Sequence, residues 1–155
     1  MKRILAITVA VAIVAMSGAA MAADSNTLTV SASVTGTCKF SSGTSTLNFG
    51  ALDPSVGTNV NAPTSTTQFW CTKGVVTDNI TAGNGANWSG TKRQMLDSVS
   101  SDKIPYTLVL TKDGNANAGP ASPRTLSIDG QVLGSDYTGK TAGSYSDTVT
   151  LSITP

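Results

Sequence analysis

Two segments of the chain alternate strictly between apolar and polar side chains. Residues 27–35 place four apolar side chains on one side of the segment, Leu28, Val30, Ala32 and Val34. Residues 145–154 repeat the pattern with Val149, Leu151 and Ile153. Because successive side chains of a β-strand point to opposite faces, a period of two predicts a strand in each segment with one apolar face.

Further short segments rich in β-branched and aromatic residues lie between these two and predict additional strands. They are residues 46–49, 66–72, 75–82, 104–112 and 124–132. Gly, Pro, Asn or Asp separates one segment from the next, as is typical of turns. This spacing predicts an all-β sandwich or barrel rather than alternating strands and helices. The pattern predicts no helix in the mature domain.

The N-terminus has the features of a secretory signal peptide. Lys2 and Arg3 precede an apolar run over residues 4–16, and small residues follow, ending in the cleavage pattern Ala20-Met21-Ala22. The apolar run is shorter than the roughly twenty residues that a membrane-spanning helix needs. We therefore expect residues 1–22 to be removed and the mature chain, residues 23–155, to be exported from the cytoplasm.

The chain has two cysteines, Cys38 and Cys71. Export to an oxidising compartment makes a disulfide between them the expected state, and two free thiols are the alternative. Closing a loop of about 34 residues is worth roughly 3 to 4 kcal/mol in the chain-entropy model. A disulfide would therefore supply a large share of the stability of a small domain.

The charged residues argue against several classes of function. The mature chain carries eight Lys and Arg against nine Asp, has no Glu or His, and shows no run of like charges. Nucleic acids and anionic membranes bind clustered Lys and Arg, so neither is an expected partner. Without histidine, the Ser-His-Asp and Cys-His catalytic arrangements and the commonest zinc ligand are excluded. The Asp residues are scattered at predicted turns, so we expect no catalytic residue, metal site or small-molecule cofactor.

A series of short motifs follows the first alternating segment. They are Cys38, LNFG at 47–50, Cys71, ITAGNG at 80–85, KRQM at 92–95, PYTLVL at 105–110 and GSYSDTVTLSITP from Gly143. The most specific combination is Gly143-x-Tyr145-x-Asp147 before the last strand, together with Arg93-x-Met95 and Phe49-Gly50. In this order the motifs resemble the spore coat protein U family, the pilin subunits of archaic chaperone-usher systems, over essentially the whole mature chain.

The resemblance implies an incomplete immunoglobulin-like β-sandwich that is completed by a donor strand from another subunit. It implies that residues 23–35 are the donor-strand segment and that residues 36–155 are the pilin domain. The donor side chains would be Leu28, Val30, Ala32 and Val34. The floor of the acceptor groove would be formed by Val149, Leu151 and Ile153.

The resemblance also implies a set of partners: a periplasmic chaperone, an outer-membrane usher and neighbouring pilin subunits. The expected function is then that of a structural fimbrial subunit which passes through the periplasm and serves adhesion or biofilm formation at the cell surface.

Two alternatives stay open at the level of sequence. The alternation of residues 26–35 fits an ordinary first strand, paired within its own domain, as well as it fits a donor strand. The alternative function is a free-standing secreted carbohydrate-binding or adhesive β-sandwich that uses Trp88 and the loop of residues 114–123. Such a module would be stable as a monomer without a chaperone.

Overall fold

The computed structural model describes residues 23–155, and the predicted signal peptide, residues 1–22, lies outside the described residues. The chain divides into two compact units, one ending at Ser33 and one spanning Val34–Pro155. Within residues 23–155, no helix is long and apolar enough to cross a membrane.

The second unit consists of short strands and one helical turn. In chain order the strands are β1 (Cys38–Phe40), β2 (Val60–Asn61), β3 (Ser65–Cys71), β4 (Asn79–Ala82), β5 (Arg93–Asp97), β6 (Lys103–Lys112), β7 (Arg124–Val132), β8 (Tyr145–Ser146) and β9 (Leu151–Thr154). The helical turn, α1 (Gly134–Tyr137), follows β7.

The strands form two antiparallel sheets. The larger sheet has the order β1-β3-β7-β6-β5-β8, and β2 also pairs with β7. The smaller sheet is a two-stranded ribbon of β4 and β9, which we call the β4–β9 ribbon. Every second residue of β7 is buried, because alternate side chains of a strand face the same side of its sheet. The predicted all-β, sandwich-like fold is confirmed.

The core lies on the inner face of the larger sheet and has two apolar clusters. The first cluster is Phe69, Cys71, Leu126 and Ile128, and the second is Ile104, Tyr106, Val132 and Tyr137. Half-buried side chains of residues 47–52 pack against both clusters, those of β9 pack against the first, and Val149 packs against the second. Full burial of one large apolar side chain is worth about 1.5 to 3 kcal/mol, so these clusters account for much of the folding free energy.

Several predicted elements differ from the structure. The strand predicted for residues 27–35 is wrong for the isolated chain, because residues 23–37 form no strand. Residues 46–49 also form no strand, since they have no ladder to a neighbouring strand. The predicted absence of helix is wrong at α1, a single turn whose Tyr137 side chain is buried in the core.

Two other predicted strands are shorter than expected. Residues 75–78 do not join β4, and Asp78 at their end is instead buried in ion pairs with Arg124 and Lys112. The strand predicted for residues 145–154 is divided into β8, which pairs with β5, and β9, which pairs with β4. One segment therefore bridges the two sheets.

Candidate functional site

The strand β9 has a partner on one side. Among the strands of residues 23–155, its ladder is with β4 alone. The carbonyls of Thr148 and Thr150 accept hydrogen bonds from the loop that follows β4. Because peptide groups alternate sides along a strand, the even-numbered residues bond towards β4. The N–H and C=O groups of Val149, Leu151 and Ile153 therefore point to the open side.

The side chains of the same three residues point inwards. Val149, Leu151 and Ile153 are half-buried, whereas Thr150 and Ser152 between them are exposed. Val149 packs against the cluster that contains Tyr106, and the other two pack against the cluster that contains Phe69. One row of residues thus contributes apolar side chains to the core and unpaired peptide groups to an edge.

A groove lies beside this edge, between residues 39–54 and residues 143–151. It consists of three adjoining depressions with volumes of about 640, 260 and 530 Å³, which share lining residues where they meet. Val149 and Leu151 line it on the side of β9. Ile153 lines none of these three depressions. The floor of the groove is formed by Met95, Tyr106, Leu108 and Ile128.

The opposite wall of the groove also has unpaired peptide groups. No backbone hydrogen bond joins residues 45–49 to another residue of the described chain. Leu47 and Phe49 are half-buried and alternate with exposed neighbours, as in a strand. A Cβ added at Gly130 would lie 2.6 Å from Leu47 Cδ2 and 3.0 Å from Phe49 Cζ, so glycine allows this wall to approach β7.

Sequence reasoning missed several residues of the groove. Leu47 and Phe49 were noted within a motif, and Gly130 inside a predicted strand was the signal that another segment approaches there. Met95 and Tyr145 were noted within motifs as well, but β5 and β8 are too short for alternation to show which way these side chains face.

The predicted donor side chains are exposed. Leu28, Val30 and Val34 are 84%, 83% and 85% exposed, and Ala32 is exposed as well. Because these apolar side chains are almost fully exposed, their burial in another molecule would gain nearly the whole hydrophobic free energy of each side chain. The donor role of these residues and the acceptor role of β9 stay predictions.

The predicted disulfide is present and joins Cys38 to Cys71. The two residues face each other in the ladder between β1 and β3. Residues 39–45, which follow Cys38, line one end of the groove. The disulfide therefore fastens this wall to the larger sheet.

A half-buried polar contact lines the groove near β8. The Tyr106 hydroxyl donates to Asp147 Oδ2 at 2.7 Å, and Asp147 Oδ1 accepts from the backbone N–H and from Nδ2 of Asn87, both at 3.2 Å. Burial, together with the hydrogen bond to Asp147, raises the pKa of Tyr106. Tyr106 consequently remains a neutral donor at physiological pH.

A second polar cluster lies at the other end of the β4–β9 ribbon. Asp78 forms ion pairs with Arg124 and Lys112, and Arg124 also bonds Asp113 Oδ1 at 2.8 Å. Burial opposes ionisation of Asp78, but hydrogen bonds from Lys112 and Asn117 and the nearby cations lower its pKa. Burial likewise opposes ionisation of Asp113, yet bonds from Thr125 and Arg124 lower its pKa to about 2. Both carboxylates are therefore charged at neutral pH.

The residues of the alternative function lie on separate loops. Trp88, 37% exposed, lies between β4 and β5, and residues 114–123 connect β6 to β7. Within residues 23–155, no group of three or more His, Cys, Asp or Glu side chains is placed to hold a metal ion.

Comparison with known proteins places this geometry in context. The family model described as Spore Coat Protein U domain matches residues 24–152. Members of this family are structural, pilin-like proteins, and the family is associated with subunits of chaperone-usher pili. No curated protein matches the chain.

Proposed function

Because this chain belongs to the Spore Coat Protein U domain family, we propose that it is a structural subunit of an extracellular fimbrium assembled by donor-strand exchange. The observation that carries the proposal is the open edge of β9 beside an apolar groove. Both walls of the groove present unpaired peptide groups, so an extended segment inserted between them can bond on both sides. This fibre role serves adhesion or biofilm formation at the cell surface.

The inserted segment is the N-terminal segment of a neighbouring subunit. Residues 23–35 supply the strand, and residues 36–155 form the domain that receives it. Burial of the donor side chains gives a gross stabilisation on the order of 5 to 9 kcal/mol before ordering costs. The residues that enter the groove are Leu28, Val30, Ala32 and Val34.

The open edge also explains the need for other partners. An unpaired edge beside apolar side chains is an aggregation hazard. A periplasmic chaperone covers the groove and the open edge of Val149, Leu151 and Ile153 until an outer-membrane usher brings in the next subunit. The signal peptide, residues 1–22, directs the chain to this route.

The proposal is tested by changing one face of the donor segment at a time. Leu28→Asp and Val30→Asp place a charge among the inserted side chains, so we expect both variants to bind the chaperone normally but to form no fibres. Thr29→Asp and Ser31→Asp add the same charge to the opposite face and are the matched controls. Fibre length is measured by electron microscopy after co-expression with the chaperone and usher. Normal fibres from both apolar-face variants would refute the proposal.

A further inference from the structure

Polar contacts attach the β4–β9 ribbon to the larger sheet at both ends. Tyr106 of β6 donates its hydroxyl to Asp147, which lies between β8 and β9. Beside it, Arg93 of β5 donates to the carbonyls of Ala82 and Gly83, at the end of β4, at 2.9 and 2.8 Å. These contacts hold one end of the ribbon over β5 and β6.

The other end of the ribbon is held by a buried ion pair. Asp78, directly before β4, binds the guanidinium of Arg124 from β7, and the two side chains are 7% and 8% exposed. Lys112 at the end of β6 donates to the carbonyl oxygen of Asp78 at 2.7 Å. The guanidinium of Arg124 also lies 5.0 Å from the ring centroid of Phe69, which fixes it against the core.

Tyr106 touches both walls of the groove. Its hydroxyl donates to Asp147 on the side of β9, while the centroid of its ring lies 6.0 Å from the ring centroid of Phe49 on the opposite wall. Tyr106 and Asp147 both line the central depression. The pair therefore acts across the groove and not at a distance from it.

An empty apolar groove has a physical tendency to close. Its walls lose surface to water when they approach each other, and protein interiors leave few voids. Hydrogen bonds and buried ion pairs are directional and have narrow distance ranges, so they oppose a sliding or collapse of the ribbon onto the larger sheet. Apolar packing alone offers no such directional restraint.

We propose that the Tyr106–Asp147 and Asp78–Arg124 contacts position the β4–β9 ribbon so that the empty groove stays open for an entering strand. The inference rests on the proposed function, because it concerns how the acceptor edge receives a donor. It assigns a role in assembly to Tyr106, Asp147, Asp78 and Arg124. These four residues affect the rate of strand entry more than they affect the stability of the filled groove.

The test measures entry and release of a strand separately. The mature chain carries Val30→Asp, so its own segment cannot donate, and it is refolded with an excess of a dye-labelled synthetic peptide of residues 25–35. Tyr106→Phe, Asp147→Asn and Asp78→Asn are compared with matched controls. Tyr137→Phe removes an equivalent hydroxyl that donates to the Thr58 carbonyl at 2.7 Å, and Asp129→Asn removes a carboxylate that accepts from the Thr64 hydroxyl away from Arg124.

We expect each of the three positioning variants to slow peptide association about tenfold, the size of one lost hydrogen bond to a charged group. Dissociation should change less than twofold, and the two controls should keep both rates. Circular dichroism of the peptide-filled form verifies folding.

Different outcomes separate the two proposals. If Tyr106→Phe keeps the association rate, releases the peptide faster, or fails to fold even with peptide, the contact has another role and this inference is overturned. If the Val30→Asp chain itself takes up no peptide, the proposed function fails first.

Discussion

Cys38 and Cys71 face each other across β1 and β3 and are joined by a disulfide. The strand β1 has three residues, and its ladder within the described chain is with β3 alone. Three residues of ladder hold a strand weakly, so the covalent bond adds a strong restraint to the hydrogen bonds that hold β1 against β3. Because residues after β1 line the groove, the disulfide supports a wall of the candidate acceptor site as well as the fold.

Removal of the disulfide is expected to lower stability and to loosen this wall. Replacement of both cysteines by Ala should lower the free energy of unfolding by about 2 to 5 kcal/mol. Urea unfolding of the mature chain, followed by tryptophan fluorescence, measures the loss. Wild-type protein treated with dithiothreitol is the control and should unfold at the same urea concentration as the variant. An unchanged midpoint in both samples would contradict the structural role given to the disulfide.

The proposed donor and acceptor functions should be separable between two chains. A chain with Leu28→Asp should accept a strand without donating one, and a chain with Leu151→Asp should donate without accepting. Each variant alone should form no polymer, while their mixture should yield a one-to-one dimer. Size-exclusion chromatography with light scattering measures the mass of the products.

The control for the acceptor variant is Ser152→Asp, which adds the same charge on the exposed side of β9. This variant should polymerise like the wild type. Long polymers from the mixture, or a dimer from either chain alone, would show that the two functions do not reside in these segments.

Alternation predicted the central strands well, because their two faces meet different environments. The strands β3, β6 and β7 lie within one residue of the predicted segments 66–72, 104–112 and 124–132. The strands β1, β2 and β5 were missed, since two to five residues show too little periodicity. Residues 46–49 have the alternation of a strand but no strand beside them, and a sequence pattern cannot reveal whether a partner is present.

The groove was predictable on one side only. The alternation of residues 149–153 indicated an apolar face, and the family resemblance suggested its use. The polar contacts behind it were not predictable, because Tyr106 and Asp147 are 41 residues apart and Asp78 and Arg124 are 46 apart. No local pattern links residues that meet only through packing of two sheets.

Gly85 offers an independent test of the Asp147 contact. A Cβ at this position would lie 2.2 Å from Asp147 Oδ2, so Gly85→Ala should displace the carboxylate from Tyr106. Gly90→Ala is the matched control, because Gly90 has a similar φ of +92° but nothing within 4 Å of its Cβ position. Both variants carry backbone strain of about 1 kcal/mol, and only the first should slow peptide association. Equal association rates would mean that the displaced carboxylate does not matter for strand entry.

The ion pairs at the other end of the ribbon should make the domain sensitive to acid. The pKa of Asp113 is lowered from 3.8 to about 2, and the pKa of Asp78 is lowered as well. A carboxyl group with a lowered pKa in the folded state stabilises that state above its unfolded pKa and loses this contribution as pH falls to its folded pKa. We therefore expect the urea midpoint to be level from pH 7 to about pH 5 and to fall between about pH 4 and pH 2.

Asp113→Asn should have a lower midpoint at pH 7 and a shallower fall, whereas Asp129→Asn, which removes a carboxylate bonded to the Thr64 hydroxyl, should keep the wild-type profile. A midpoint of Asp113→Asn that falls as steeply as that of the wild type would contradict this assignment.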